Sequence, residues 1–153
     1  MLRRVLVATD GEEHARRAEE MAVRLAAPGQ ALEIELLYVE PRLAPKDVHG
    51  DGTRPWQMDR RRIPPEEAEA AQALLRAAEE RVRSLATGTE ISIWSRFVVS
   101  NDVAGMIVHE GERSSADLII IGGRYHAWLA RLLGGSISDE VLRRAPRPVM
   151  LVP

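Results

Sequence analysis

Two stretches of this sequence set polar chemistry beside glycine. In Val7-Ala8-Thr9-Asp10-Gly11 an apolar run ends in a hydroxyl, a carboxylate and a glycine. An aspartate at the carboxyl end of a first strand can accept hydrogen bonds from ribose hydroxyls or hold a metal ion. It is also well placed to cap a following helix, where a carboxylate meets free N–H groups and the positive end of the dipole. The second stretch is Gly122-Gly123-Arg124-Tyr125, nine residues, then Gly135-Ser136. Ser136 opens a helical pattern, and Asp139 three residues on gives a capping box. Free N–H groups at such a start, with the dipole, make an anion site. Gly135 lets a phosphate come close to the backbone, and Arg124 can add charge-assisted contacts. A glycine turn and a capped helix are the plainer reading of the same residues.

Both stretches need a scaffold, and the apolar pattern supplies one. Val5 to Ala8 and Leu118 to Ile121 are short continuous apolar runs, as expected of strands buried on both faces. Leu32 to Val39 reads as a second strand. Ile91 to Val99 is a third, with a mixed polarity that suggests a sheet edge, and Val149 to Val152 is the last. Helical spacing recurs between them. Ala15, Ala18, Met21, Ala22 and Leu25 form one stripe, and Ala68, Ala71, Leu74, Leu75, Ala78, Val82 and Leu85 a second. Val103, Met106 and Ile107 face inward on a third helix, with Asn101 as its expected cap. A fourth helix runs from near Ser136 to before Pro146. Residues 41–65 hold five of the nine prolines and no sustained period, so they read as a long loop. Strand–helix alternation predicts one α/β domain: a five-stranded, mostly parallel, doubly wound sheet with helices on both faces. Ligands in such sheets bind beyond the carboxyl ends of the strands at a topological switch point, which directs attention to the loops after Ala8, Val39 and Ile121.

Composition narrows the chemistry. A net charge of −2 offers no basic field for nucleic acid or an acidic membrane. The absence of cysteine excludes disulfides and thiolate sites. No apolar run reaches the length of a membrane span, and the start enters a strand-like run that ends at Asp10, so a cytoplasmic protein is expected. His14, His49, His109 and His126 show no metal-ligand spacing. There is no P-loop, no G-x-G-x-x-G after the first strand and no nucleophile elbow. No catalytic set is assembled, and no metal site is expected.

The motifs above resemble the universal stress protein family. That family has a glycine, two residues, a second glycine, nine residues, then Gly and Ser or Thr; here the series runs Gly122, two residues, Tyr125, nine residues, Gly135-Ser136. Val5 to Gly11 resembles the family's opening strand and its aspartate, Ala116 to Gly122 its fourth strand, and Ser136 to Pro146 with Pro148 to Val152 its terminal helix and strand. The resemblance spans residues 1–153 as one domain of Rossmann-like fold, similar to the adenine nucleotide alpha hydrolases. It implies a stress-response regulatory module that binds an adenine nucleotide, commonly ATP, with Mg2+ as a companion of the phosphates. Adenine would lie near Ala8 and Val39, Asp10 beside Thr9 would face the ribose, and Gly122, Gly135, Ser136 and Ile137 would surround the phosphates. Tyr125 departs from the pattern by standing at the second glycine. Either it closes the site, leaving a dimeric interaction protein, or the loop shifts and its hydroxyl donates to a phosphate oxygen. An enzyme acting on an adenylated substrate is a third possibility.

Three further features stand beside the motif. Residues 42–64 carry six basic side chains against three acidic ones, either a solvated loop or a cover for a triphosphate. Trp56 in that loop is expected to pack on its own protein. The resemblance places Val149 to Val152 at a sheet edge, where it would pair with its copy in a two-fold homodimer.

Overall fold

A computed structural model describes residues 1–44, 55–123 and 136–153. The apolar runs do become parallel strands: β1 (Arg4–Ala8), β2 (Leu32–Pro41), β3 (Ile91–Ser100), β4 (Leu118–Gly122) and β5 (Val149–Val152), in the order β3-β2-β1-β4-β5. Val5 pairs with Ile34 on one side and Leu118 on the other, and Ala8 with Leu37 and Ile121. The helices among the described residues are α1 (Glu13–Arg24), α2 (Pro65–Leu85), α3 (Val103–Arg113) and α4 (Ile137–Arg144). All sheet pairings are parallel, where the sequence suggested mostly parallel.

Alternate strand residues serve the two sides of the sheet, as the two-residue repeat of a strand requires. Val5, Val7, Ile34, Leu36 and Ile120 pack under α1 and α2 with Ala18, Leu75 and Val82. Leu6, Ala8, Leu37, Ile119 and Ile121 pack under α3 and α4 with Met106, Ile107 and Val141. The core is therefore two layers divided by one sheet. The stripe expected on α2 is partly inward: Ala71, Leu75, Ala78 and Val82 are buried, whereas Leu85 at the helix end is exposed.

Each side also hides carboxylates. On the α1–α2 side, Glu19 is 1% exposed and ion-paired with Arg81. On the α3 side, Glu35 of β2 and Glu110 of α3 share Arg113, whose Nη2 donates to Glu35 Oε1 at 2.8 Å and whose Nε donates to Glu110 Oε2 at 2.5 Å. Arg96 approaches Glu110 from β3 at 2.8 Å. Glu35 Oε2 and Glu110 Oε1 are buried and find no hydrogen-bond partner among the described residues.

Both edges lie where they were expected, β3 from its mixed polarity and β5 from the family resemblance. The long connection after β2 is not structureless over its described part. Gln57 bridges to Ser100 in antiparallel fashion, Arg60–Arg62 forms a 3₁₀ turn, and Trp56 N–H donates to Asn101 Oδ1 at 3.0 Å. That contact also explains a correction. The cap of α3 is Asp102 and not Asn101: Asp102 Oδ1 accepts from Gly105 N–H at 2.9 Å, while the Asn101 side chain serves the incoming loop.

Candidate functional site

The strand order reverses at β1. Its neighbour on one side, β2, follows directly through α1, and its neighbour on the other side, β4, arrives from later in the chain. The crevice at the carboxyl ends of β1 and β4 is thus the switch point where open α/β sheets take ligands. Because Ala8 pairs with Ile121, the next residues of each strand, Thr9-Asp10 and Gly122-Gly123, emerge side by side.

The turn after β1 consumes its own N–H groups. Thr9 N–H donates to Leu37 O at 2.8 Å, Gly11 N–H to Thr9 Oγ1 at 3.2 Å, and Glu12 N–H to Asp10 Oδ1 at 3.0 Å. Gly11 sits at φ +79°, a left-handed conformation that glycine adopts without a Cβ clash. Asp10 therefore makes an Asx turn and does not cap α1, which begins after Glu12 without a side-chain cap. Its second oxygen, Oδ2, is buried with no hydrogen-bond partner among the described residues. This end of the crevice presents an acceptor and is suited to a hydroxyl or amine donor.

The field around it agrees. Burial pushes the Tyr38 hydroxyl well above the usual phenol range, and its hydrogen bond to Glu40 and the charges of Glu40, Asp10 and Glu67 push it the same way. Tyr38 thus stays protonated and stacks on Phe97 at 5.5 Å. Glu67 is ion-paired with Arg42. With Glu67 matched by Arg42, Asp10 and Glu40 leave the β1–β2 end negative, which disfavours a phosphate there.

The β4 end is built by contact. A Cβ on Gly122 would lie 2.6 Å from both the carbonyl carbon and oxygen of His14, and 3.0 Å from Ala15 N. Gly122 therefore lets β4 touch the first turn of α1. Gly123 N–H donates to Val152 O at 2.6 Å. Neither residue has a positive φ.

The start of α4 packs through Ile137 into the same core layer as Ala8 and Ile121. Ser136 is its N-cap residue, but the expected capping box is absent: the Ser136 hydroxyl is hydrogen-bonded to that of Ser138 at 2.6 Å and makes no cap bond to the helix backbone. The far end of α4 is anchored. Arg144 donates to both oxygens of Asp102, at 2.9 and 2.7 Å. The pair lies directly over Gly105, where a Cβ would displace both side chains. Burial raises the Asp102 carboxyl, but the Arg144 and Gly105 hydrogen bonds and the Arg144 charge outweigh it and hold the group below its usual range.

The residues expected at the site divide accordingly. Ala8, Thr9 and Val39 are fully buried, Asp10 is 9% and Ile137 6% exposed, Gly122 is buried, and Ser136 is half-buried. The side chains of Ala8, Val39 and Ile137 belong to the core, which leaves them only backbone groups to offer. Thr9 turns inward, donating through Oγ1 to Glu19 Oε1 at 2.6 Å. Arg124, Tyr125 and Gly135 lie outside the described residues. The Glu19–Arg81 pair behind Thr9 escapes motif reading, although Glu19 on the inward alanine stripe of α1 is its one signal.

Comparison with known proteins agrees with this fold. Residues 1–153 match the universal stress protein family. The chain is 30% identical over 152 residues to the universal stress protein in the QAH/OAS sulfhydrylase 3′ region of Thermus aquaticus, covering 99% of both chains. Its fold is similar to the crystal structure of a universal stress protein in complex with cAMP, with a TM-score of 0.68 at 22% identity, covering 99% of this chain and 96% of that one. It is also similar to the universal stress protein from Archaeoglobus fulgidus in complex with dAMP, with a TM-score of 0.64 at 21% identity over 100% and 98% of the two chains. Matched from end to end, the chain belongs to the universal stress protein family.

Proposed function

We propose that the crevice at the carboxyl ends of β1 and β4 binds ATP, and that the protein is a cytoplasmic, stress-responsive regulatory module. The observation that carries this reading is Asp10 Oδ2, a buried carboxylate oxygen at the switch point with no hydrogen-bond partner among the described residues, in a turn whose Gly11 and Glu12 N–H groups are already engaged. A ribose hydroxyl satisfies it. Adenine then lies against the backbone of Ala8 and Val39. The phosphates point away from Asp10, Glu40 and Glu67 toward Gly122, Ser136 and Ile137, where Arg124, Tyr125 and Gly135 and a Mg2+ ion would complete their surroundings. Two structural neighbours, solved in complex with cAMP and dAMP, support an adenine nucleotide. The proposed role is binding, with slow ATP hydrolysis at most.

The second part of the proposal is a two-fold homodimer through β5. That edge strand carries Leu151 at 41% exposure, and an apolar edge is a template for another strand.

The test is to denature the purified protein and chromatograph the supernatant for nucleotides, then titrate the emptied protein with millimolar Mg-ATP. An adenine nucleotide near one per chain, or saturable binding, is the expected result. No binding in either assay would leave the dimeric interaction protein with a loop altered at Tyr125.

A further inference from the structure

We propose that Glu19 and Arg81 are positioning residues for the ligand-facing carboxylate, setting its direction through Thr9. The inference rests on the nucleotide reading of Asp10 given above.

The geometry runs through three elements. Arg81, on α2, donates from Nε to Glu19 Oε2 at 2.8 Å and from Nη2 to Glu19 Oε1 at 3.0 Å. Glu19, on α1, is 1% exposed, and a carboxylate taken out of water stays charged when a partner compensates it. Arginine suits that task because its charge is permanent and its donor fork matches both oxygens. An ionised Glu19 only accepts hydrogen bonds. The single proton of Thr9 Oγ1 therefore goes to Glu19 Oε1, at 2.6 Å. Thr9 Oγ1 is then left as an acceptor toward its own turn, and it takes the Gly11 N–H at 3.2 Å.

That last bond fixes the turn. With Gly11 held at φ +79°, the Glu12 N–H comes back to Asp10 Oδ1 at 3.0 Å. One carboxylate oxygen is occupied and the other, Oδ2, is left to the crevice. Arg81 appears nowhere among the crevice residues, and its side chain remains 30% exposed on the outer layer. It acts on the site only through Glu19 and Thr9. Without the Glu19 acceptor, Thr9 has no reason to keep its rotamer, the Gly11 N–H is released, and Oδ2 loses its fixed direction.

The experiment compares the affinities of ATP and its 2′-deoxy and 3′-deoxy analogues for the full chain and for Thr9→Val, Arg81→Met and Arg81→Lys. The wild-type protein should prefer ATP over at least one analogue by about tenfold, the worth of a hydrogen bond to a charged group. Thr9→Val and Arg81→Met should bring that ratio close to one while affinity for the analogue stays within about twofold, and Arg81→Lys should restore part of the preference. Arg81→Met strands a buried carboxylate and can fail to fold. Thr9→Val leaves the ion pair whole and decides the matter alone. A folded Thr9→Val protein that keeps the preference overturns the inference. So does an equal loss of affinity for ATP and analogue, which is what a merely structural role would give. Wild-type binding of ATP without preference removes the ribose contact and this inference but leaves nucleotide binding standing. Absence of wild-type binding removes both.

Discussion

The carboxyl ends of β1 and β4 lie side by side, and each has a glycine at or just beyond it, but for different reasons. Gly11 after β1 has φ +79° and is there for its conformation. Gly122 at the end of β4 has no positive φ and is there because the backbone of His14 occupies the place of a side chain. The β1 end is wired by hydrogen bonds and holds a carboxylate with one buried, unpartnered oxygen, whereas the β4 end is a packing contact that holds α1 against the sheet. A glycine in a motif thus does not announce which service it performs, and a phosphate role for Gly122 comes in addition to a packing role that is complete without ligand.

The largest expected effect separates Gly122, the last residue of β4, from Gly123 just after it. Gly122→Ala forces a methyl group into the first turn of α1, with a cost of about 1–3 kcal/mol for overpacking against backbone that cannot rotate away. At this chain length that lowers the midpoint of a thermal melt by roughly 2–4 °C per kcal/mol. Gly123→Ala, whose Cβ would sit 3.3 Å from Pro153 and Val152 at the chain terminus, should stay within about 0.5 kcal/mol. Equal melts for the two variants would break the contact account of Gly122.

The next effect addresses conformation. Gly11→Ala should cost about 1–2 kcal/mol, the penalty of a left-handed residue with a Cβ. Gly11→Asn should recover part of it, because asparagine tolerates that region, while Gly122→Asn should recover nothing relative to Gly122→Ala. Chemical denaturation of the four proteins reads the pattern directly. Identical behaviour of the two asparagine variants would erase the distinction.

The smallest effect lies beyond the crevice, at the far end of α4. Asp102→Asn keeps a capping side chain but loses the Arg144 ion pair, at a cost below about 1 kcal/mol at neutral pH. The Asp102 carboxyl is depressed in the folded protein, so its contribution is full above the unfolded value near 4 and is lost as pH falls through the folded value. The stability gap between wild type and Asp102→Asn should therefore close in acid. A gap that is constant from pH 7 to pH 2.5 would show that the ion pair does not anchor α4.

How much of this was legible in the residues follows from distance along the chain. Continuous runs such as Val5–Ala8 and Leu118–Ile121 announced buried strands because both faces of the sheet are covered, and the mixed polarity of Ile91–Val99 announced an edge. Caps were less legible. Asn101 and Asp102 are adjacent and both competent, and the choice was settled by Trp56, 45 residues away, which takes the asparagine. Ser136 has the composition of a capping box, yet a neighbouring hydroxyl at Ser138 competes for its Oγ. The Thr9–Glu19–Arg81 series joins residues 10 and 62 apart, and local pattern carries no register between α1 and α2. Asp10 was legible as a residue of interest, but which of its oxygens is free depends on a turn that only the fold defines.

The half-satisfied carboxylates under α3 bear on temperature. Glu35 and Glu110 are nearly inaccessible to water, each with an oxygen lacking a partner, and they depend on Arg96 and Arg113 for compensation. Withdrawing ions from water becomes less unfavourable on heating, because charged groups are hydrated at a large entropic loss, whereas the apolar contribution per unit area levels off. The α3 layer therefore carries a cost that is greatest in the cold and recedes as the protein warms. Its share of the total stability rises with temperature, and the Glu19–Arg81 pair gives the α1–α2 layer the same tendency through one buried carboxylate instead of two.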